Sequence, residues 1–336
     1  MSNSSNHRSN SVVSGNNSDL LAVLSVYLSA PLTLAGCIAN VINIAVFCRM
    51  DRRQTINISL LSMAVSDLLG LLGTLWRCIC FLPEVVKSPN LSFHPLSMAY
   101  GVGDTARFIF GRITACLTLL ISAERCLCIL LPLKVKTLIT TGKIRAIIIA
   151  IYIFVTASNS WIFYLYRFVW EHSDKRNRTF LTFKAIKNKS RIEVPLIVVN
   201  NLFLQCALSA GIMVFTAILV VKMKQQSKWR LSSSKQTAAS ETSAKRDDKV
   251  AKTVTVISVT YLLCYFPSTV NIMCVNLVPG YKANGRHSEL FLNISTVVYL
   301  LEILNSSVNI FFYWELSTQF RKEMKRMLRC ATTTTT

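Results

Sequence analysis

Seven long apolar runs constrain this chain more than anything else in it: Leu20–Cys48, Ile56–Phe81, Met98–Leu131, Lys143–Tyr166, Val194–Val221, Val250–Val275 and Leu290–Trp314. In hydrocarbon a backbone must satisfy its own polar groups, so only helices or closed barrels cross a bilayer. Each run is long enough to span a core of about 30 Å with some tilt. The alternation of a barrel strand is absent, so the expected fold class is all-α integral membrane, a seven-helix bundle. Composition agrees: 52% of residues are hydrophobic and 16% are charged, against about 25% charged in a soluble domain. A net charge of +21 in a soluble chain would point to nucleic acid or an anionic surface. The apolar runs override that reading, and no nucleic-acid partner is expected.

Seven is odd, so the two chain ends lie on opposite sides. The segment before the first run, residues 1–19, is polar and rich in Ser and Asn, with Arg8 its one basic residue and no apolar signal peptide ahead of it. Arg49, Arg52 and Arg53 follow the first run. The positive-inside rule then puts the N-terminus outside, at the plasma membrane. On this topology 21 of the 37 Lys and Arg residues fall in inner segments and 12 outside, eight of those in the loop Arg167–Arg191. Glycosylation sequons at Asn3, Asn16, Asn90, Asn177 and Asn188 all fall outside. Sequons at Asn57 and Asn305 do not fit. None of the 11 cysteines falls in an outer loop, so no outer disulfide is expected and most cysteines read as small packing residues. The expected organisation is an outer glycosylated segment 1–19, a bundle 20–314, and an inner tail 315–336.

Glu124 and Arg125 stand side by side near the inner end of the third run. A charge at mid-membrane costs about 2.5–3.5 kcal/mol, but here it reaches water or a partner, so the pair could be simple interfacial snorkelling. Glu302, Asn305, Asn309 and Tyr313 are spaced by 3, 4 and 4 in the seventh run. They form one polar stripe that must face the bundle interior, with Asp67 of the second run a natural partner.

With these residues in hand the chain resembles rhodopsin-like G-protein-coupled receptors over nearly its whole length. The matching features are Asn40 in GCIANVINIAVF, Asp67 in LLSMAVSDLL, Glu124-Arg125-Cys126 followed by Pro132-Leu133, CYFP ending at Pro267, and NIFFY from Asn309 to Tyr313. NVINIAVF and ERCLCILLPLKVKTLIT look like molluscan chemosensory-type and orphan peptide-type receptors. The chain departs from the pattern at Tyr100, where the family has a cysteine bound to the second outer loop. It departs again at Tyr152, near the family's fourth-helix tryptophan, and in the fifth run, which lacks a mid-helix proline.

The resemblance implies a receptor, not an enzyme, that passes an outer signal to a heterotrimeric G protein, with arrestin and receptor kinase as further partners. It implies no cofactor beyond a sodium ion, held by Asp67, Thr114, Asn305, Ser306 and Asn309; a purely structural network at these residues is the alternative. It also implies a switch made of Glu124, Arg125, Asp247, Tyr265, Pro267, Asn309 and Tyr313. In that switch Asp247 pairs with Arg125 in the resting state, unless it is merely solvated in KRDDK. Pro267 bends the sixth helix. The tail ELSTQFRKEMKRMLRC reads as an amphipathic helix on anionic lipid, with Cys330 a palmitoylation site.

For the ligand, Arg77, Asp104, Arg107 and Glu302 are the candidates. Arg107 lies 18 residues before Arg125, five turns and about 27 Å along the same helix face. Either these charges neutralise one another, or Arg77 and Arg107 grip an anionic group of an outer ligand, a chemosensory small molecule or a neuropeptide. No acid stands at position 107, against a monoamine ligand. Arg112 is turned roughly 140° from that face. The seventh run has no lysine, against a retinal protein, and all four histidines lie outside the runs. A transporter or channel is the rival reading, since charges in helices also mark transport paths.

Overall fold

The computed structural model describes residues 6–131, 134–173, 178–186, 202–232, 238–282 and 285–333. Of these, 6–25, 136, 173, 226–232, 238–248 and 330–333 are described by their backbone alone. The long helices are α1 (Asn6–Arg49), α2 (Thr55–Phe81), α3 (Thr105–Leu130), α4 (Thr141–Ser158), α5 (Leu204–Ser232), α6 (Ala238–Leu277) and α7 (Ser288–Leu316). A final helix, α8 (Thr318–Thr333), follows α7 after one residue. Among the described residues seven helical stretches are long and apolar enough to cross a membrane, as the seven runs required.

Boundaries differ at the polar ends. α1 begins at Asn6 rather than near Leu20, because no proline interrupts residues 6–19 and an established helix propagates easily into polar sequence. It also runs through Pro31, as α6 runs through Pro267. The start of the fifth run, from Val194, lies outside the described residues.

α3 is entered through a short helix, Pro95–Met98, and a π-helical turn, Ala99–Asp104. Here α2 and α3 touch backbone to backbone. A Cβ on Gly73 would lie 2.8 Å from both the Ala106 Cβ and the Gly103 carbonyl oxygen. Small residues at this crossing are what allow such an approach between membrane helices. Tyr152 on α4 donates its hydroxyl hydrogen to the Ser62 carbonyl at 2.9 Å, tying α4 to α2 where the family pattern has a tryptophan.

Between α4 and α5 the chain forms an antiparallel hairpin, β1 (Tyr166–Ser173) and β2 (Arg178–Ala185), with Tyr166 opposite Ala185 and Ser173 opposite Arg178. The sequence reading treats this stretch only as a basic loop. The hairpin is fastened to the segment before α3 without a disulfide. His94 N–H donates to the Leu181 carbonyl and Leu181 N–H to the Ser92 carbonyl, both at 2.8 Å. Phe183 N–H donates to Ser97 Oγ at 2.5 Å, and Ser97 Oγ donates back to the Phe183 carbonyl at 3.2 Å. None of the ten cysteines whose side chains are described is in a disulfide.

At the opposite end, Phe47 of α1, Tyr313 of α7 and Phe320 of α8 form an aromatic cluster with centroids 5.0–5.4 Å apart. This cluster seats α8 against the bundle.

Candidate functional site

The hairpin end of the bundle opens into a cavity of about 530 Å³ between α2, α3, α5, α6 and α7. Four charged side chains form one wall. Arg77 Nε lies 3.2 Å from Asp104 Oδ1, and Arg107 Nε lies 3.8 Å from the same oxygen. Arg107 Nη1 also donates to Glu302 Oε2 across to α7. Tyr299 lies against both guanidinium groups, each 4.7 Å from its ring centroid. The neutralisation reading therefore holds in this conformation, because both carboxylates are engaged with arginines. Glu302 does more than neutralise, since its Oε1 accepts a hydrogen bond from Ser268 of α6 at 2.8 Å. One carboxylate thus ties α3, α6 and α7 together.

Beneath this wall is a small cavity of about 20 Å³, lined by Asp67, Thr74, Thr114 and Ser306 among others. Arg107, Gly111, Tyr265 and Glu302 line both cavities. Asp67 is 2% exposed. Its Oδ1 accepts from Thr114 at 2.8 Å and its Oδ2 from Asn309 at 3.0 Å. Ser306 lines the same cavity. About 10–15 Å³ admits one water-sized occupant, so the space and its hard oxygen donors fit a single small cation.

The sequence grouped Asn305 with these residues. The structure buries it on the same stripe, but it is not among the side chains lining the cavity.

At the α8 end, Arg125 Nη2 donates to Glu124 Oε1 at 2.6 Å. Glu124 is 2% exposed and also accepts from Thr55 of α2, with Ser59 at 3.5 Å. The adjacent pair is therefore an internal clamp on Arg125 rather than a surface pair. Arg125 Nε is buried without a hydrogen-bond partner among the described residues. Asp247 lies on the first part of α6, and its side chain is outside the described residues, so its pairing with Arg125 is not addressed. Tyr265 stacks on Tyr261 with centroids 4.5 Å apart.

Of the other expected sites, Asn90 is exposed in a turn, while Asn16 lies on α1. Asn3, Asn177 and Asn188 are outside the described residues. Cys330 is on α8, described by its backbone alone.

Two residues gain importance that the sequence reading did not assign. Ser97 is the hub of the hairpin contact, and Thr182 Oγ1 donates to it at 3.0 Å. Arg112, set aside because of its angle, is 4% exposed and lines the large cavity beside Gln205 and Tyr265. The cavity wraps around α3, reaching both Arg77 on α2 and Gln205 on α5. A residue on another face of α3 therefore still meets it.

Comparison with known proteins agrees with this architecture. Over 338 aligned residues the chain is 25% identical to the [Phe13]-bombesin receptor of Bombina orientalis, covering 94% of this chain and 78% of that one. It is 22% identical to growth hormone secretagogue receptor type 1 of Sus scrofa, covering 88% of this chain and 78% of the relative. Both relatives are receptors, which disfavours the transporter reading and an enzymatic one. The model of the family described as serpentine type 7TM GPCR chemoreceptor Srw matches residues 27–331. With seven membrane-length helices, a buried Asp67 bonded to Asn309, and Arg125 held at the opposite end from the cavity, the chain belongs to this family of G-protein-coupled receptors.

Proposed function

We propose that the hairpin end is extracellular, at the plasma membrane, and that the cavity of about 530 Å³ receives an extracellular ligand. That volume is in the range of pockets for small molecules, roughly 300–1,000 Å³. It suits a chemosensory compound or one end of a peptide, and two receptors named for peptide ligands are among the relatives. The single observation that carries the reading is Glu302, which holds Arg107 of α3 and Ser268 of α6 at once. An anionic ligand group competes with Asp104 and Glu302 for the guanidinium forks. Freed from Arg107, Glu302 no longer fixes α6 to α3, and α6 swings about Pro267. Arg125 then leaves Glu124 for the G protein.

A sodium ion beside Asp67, with Thr114, Ser306 and Asn309, stabilises the resting arrangement. The segment between α5 and α6 is the contact for G protein, receptor kinase and arrestin. Asn3, Asn16, Asn90, Asn177 and Asn188 carry glycans, and Cys330 a palmitoyl chain. The segment 1–19 is the outer end, 20–314 the receptor bundle and 315–336 the inner tail. Asp247 adds a second restraint on Arg125.

The test is guanine-nucleotide exchange on a set of purified heterotrimeric G proteins by the full chain in lipid nanodiscs. Wild type accelerates exchange on at least one of them, and Arg125→Ala does not. Substrate flux through the protein in liposomes with no exchange on any G protein would contradict the reading.

A further inference from the structure

Arg52-Arg53-Gln54-Thr55 leads out of the turn between α1 and α2. Both arginines are exposed, and Thr55, half-buried, is the first residue of α2. Guanidinium groups three and two residues ahead of a hydroxyl suit a kinase whose substrate cleft is acidic, by charge complementarity. This hydroxyl stands beside the Arg125 clamp. Thr55 Oγ1 donates to Glu124 Oε1, and the same oxygen accepts from Arg125 Nη2 at 2.6 Å. One carboxylate oxygen therefore bridges the threonine and the guanidinium. Gln54, at the N-cap of α2, makes no side-chain bond to the first amides of the helix, so the positive end of the helix dipole there is open to an anion. Arg125 keeps a further donor, Nε, buried without a hydrogen-bond partner among the described residues.

We propose that Thr55 is a phosphorylation site for an arginine-directed serine/threonine kinase, and that its phosphate replaces Glu124 as the holder of Arg125. In the transfer the Thr55 oxygen attacks the γ-phosphorus of ATP. The bond from that phosphorus to the bridging oxygen breaks, ADP leaves, and the hydroxyl proton passes to the kinase's base. The donor that met Glu124 is then gone, and two negative groups stand where a donor met an acceptor. Repulsion displaces the Glu124 carboxylate, while the guanidinium fork gains a dianion with three acceptor oxygens. The N-terminus of α2 favours the same charge. Phosphorylation thus holds Arg125 in its resting place, and output is lost while the outer cavity is untouched. The effect on output rests on the function proposed above; the modification itself requires only that the α8 end faces the cytosol, where ATP and kinases are.

The test treats the purified full chain in lipid nanodiscs with the catalytic subunit of cAMP-dependent protein kinase and MgATP, and maps phosphate by mass spectrometry. Phosphate is expected on Thr55. Arg52→Gln combined with Arg53→Gln leaves Thr55 in place and is expected to slow its modification at least about tenfold. In chains enriched for the Thr55 phosphate, the melting temperature is expected to rise by about 2 °C or more, and by less than half as much in Arg125→Ala. Nucleotide exchange on a responsive G protein is expected to fall at least about tenfold in the same chains.

Ser232 at the end of α5 also stands two residues after an arginine, so each readout is compared with Thr55→Ala carried through the same treatment. Treated and untreated Thr55→Ala are expected to melt and to exchange alike. The Arg52 and Arg53 double variant gives the same comparison with the hydrogen bond to Glu124 intact. No phosphate on Thr55 in wild type, or an equal effect of treatment on wild type and Thr55→Ala, would overturn the inference. So would a Thr55 phosphate that leaves melting and exchange unchanged, or one whose rise in melting temperature is at least half as large in Arg125→Ala. Melting does not depend on coupling. An Arg125-dependent rise without exchange on any G protein therefore supports the phosphate site while the receptor mechanism fails, and exchange that the Thr55 phosphate does not alter sinks the inference while that mechanism stands.

Discussion

Asp67 illustrates how far a single residue can be read. Its place in the sequence, apolar on both sides, already demands internal partners, and the polar stripe on the seventh run supplies Asn309. What the linear pattern does not supply is reach. Helical spacing groups Asn305 with Asn309, yet the residue beside Asp67 is Ser306. Spacing turns Arg112 away from Arg107, yet both line one cavity. An arginine carries its charge several ångströms from the helix axis, and a cavity that encloses part of a helix meets more than one of its faces. At this scale the cation site makes a prediction. In buffered NaCl the wild-type chain melts at higher temperature than in choline chloride of equal ionic strength, because an ion bound only to the folded state stabilises it. In Asp67→Asn the difference disappears. An equal sodium effect in both proteins would remove the ion from the account.

At the scale of elements, the bundle was legible because hydrocarbon leaves so few options, and the stretches matched to within a few residues except where a helix ran on into polar sequence, as α1 and α6 do, or stopped short, as α4 does at Ser158. The hairpin was not anticipated. Thr179-Phe-Leu-Thr-Phe-Lys184 is a short stretch of aromatic, apolar and β-branched residues without strict alternation, a signal easily passed over beside runs of more than 20. Its fastening through Ser97 had no signature in the chain, because a serine between a proline turn and a tyrosine advertises nothing. Ser97→Ala leaves the Phe183 N–H without its acceptor, at a cost of about 1–3 kcal/mol. Hydrogen exchange of the β1–β2 amides should then rise by roughly fivefold to a hundredfold, with the α2 and α3 amides unchanged. Unchanged hairpin protection would mean that other contacts hold it. The α2–α3 crossing is less forgiving. Gly73→Val directs its Cβ at the Gly103 carbonyl and Ala106, both fixed by backbone, so the melting temperature falls and the yield of folded protein drops. A fully stable Gly73→Val would show that the helices do not approach this closely.

Across the whole molecule, charged clusters stand at opposite ends of α3, and the upper one shares a wall with the cavity beside Asp67. Glu302 closes the upper cluster on α6, Tyr265 and Asp67 lie between, and Glu124 clamps Arg125 at the far end. On the function proposed above, Glu302 restrains the resting state and Arg125 is the output of its release. A charge-assisted hydrogen bond contributes about 1.5–3 kcal/mol, enough to shift a two-state equilibrium by roughly tenfold to a hundredfold. The decisive measurement is unliganded nucleotide exchange on a responsive G protein by Glu302→Gln, alone and combined with Arg125→Ala. Exchange should rise at least about tenfold in the single variant and return to the uncatalysed rate in the double. Unchanged exchange in Glu302→Gln, or a rise that survives Arg125→Ala, would contradict the coupling of the two ends.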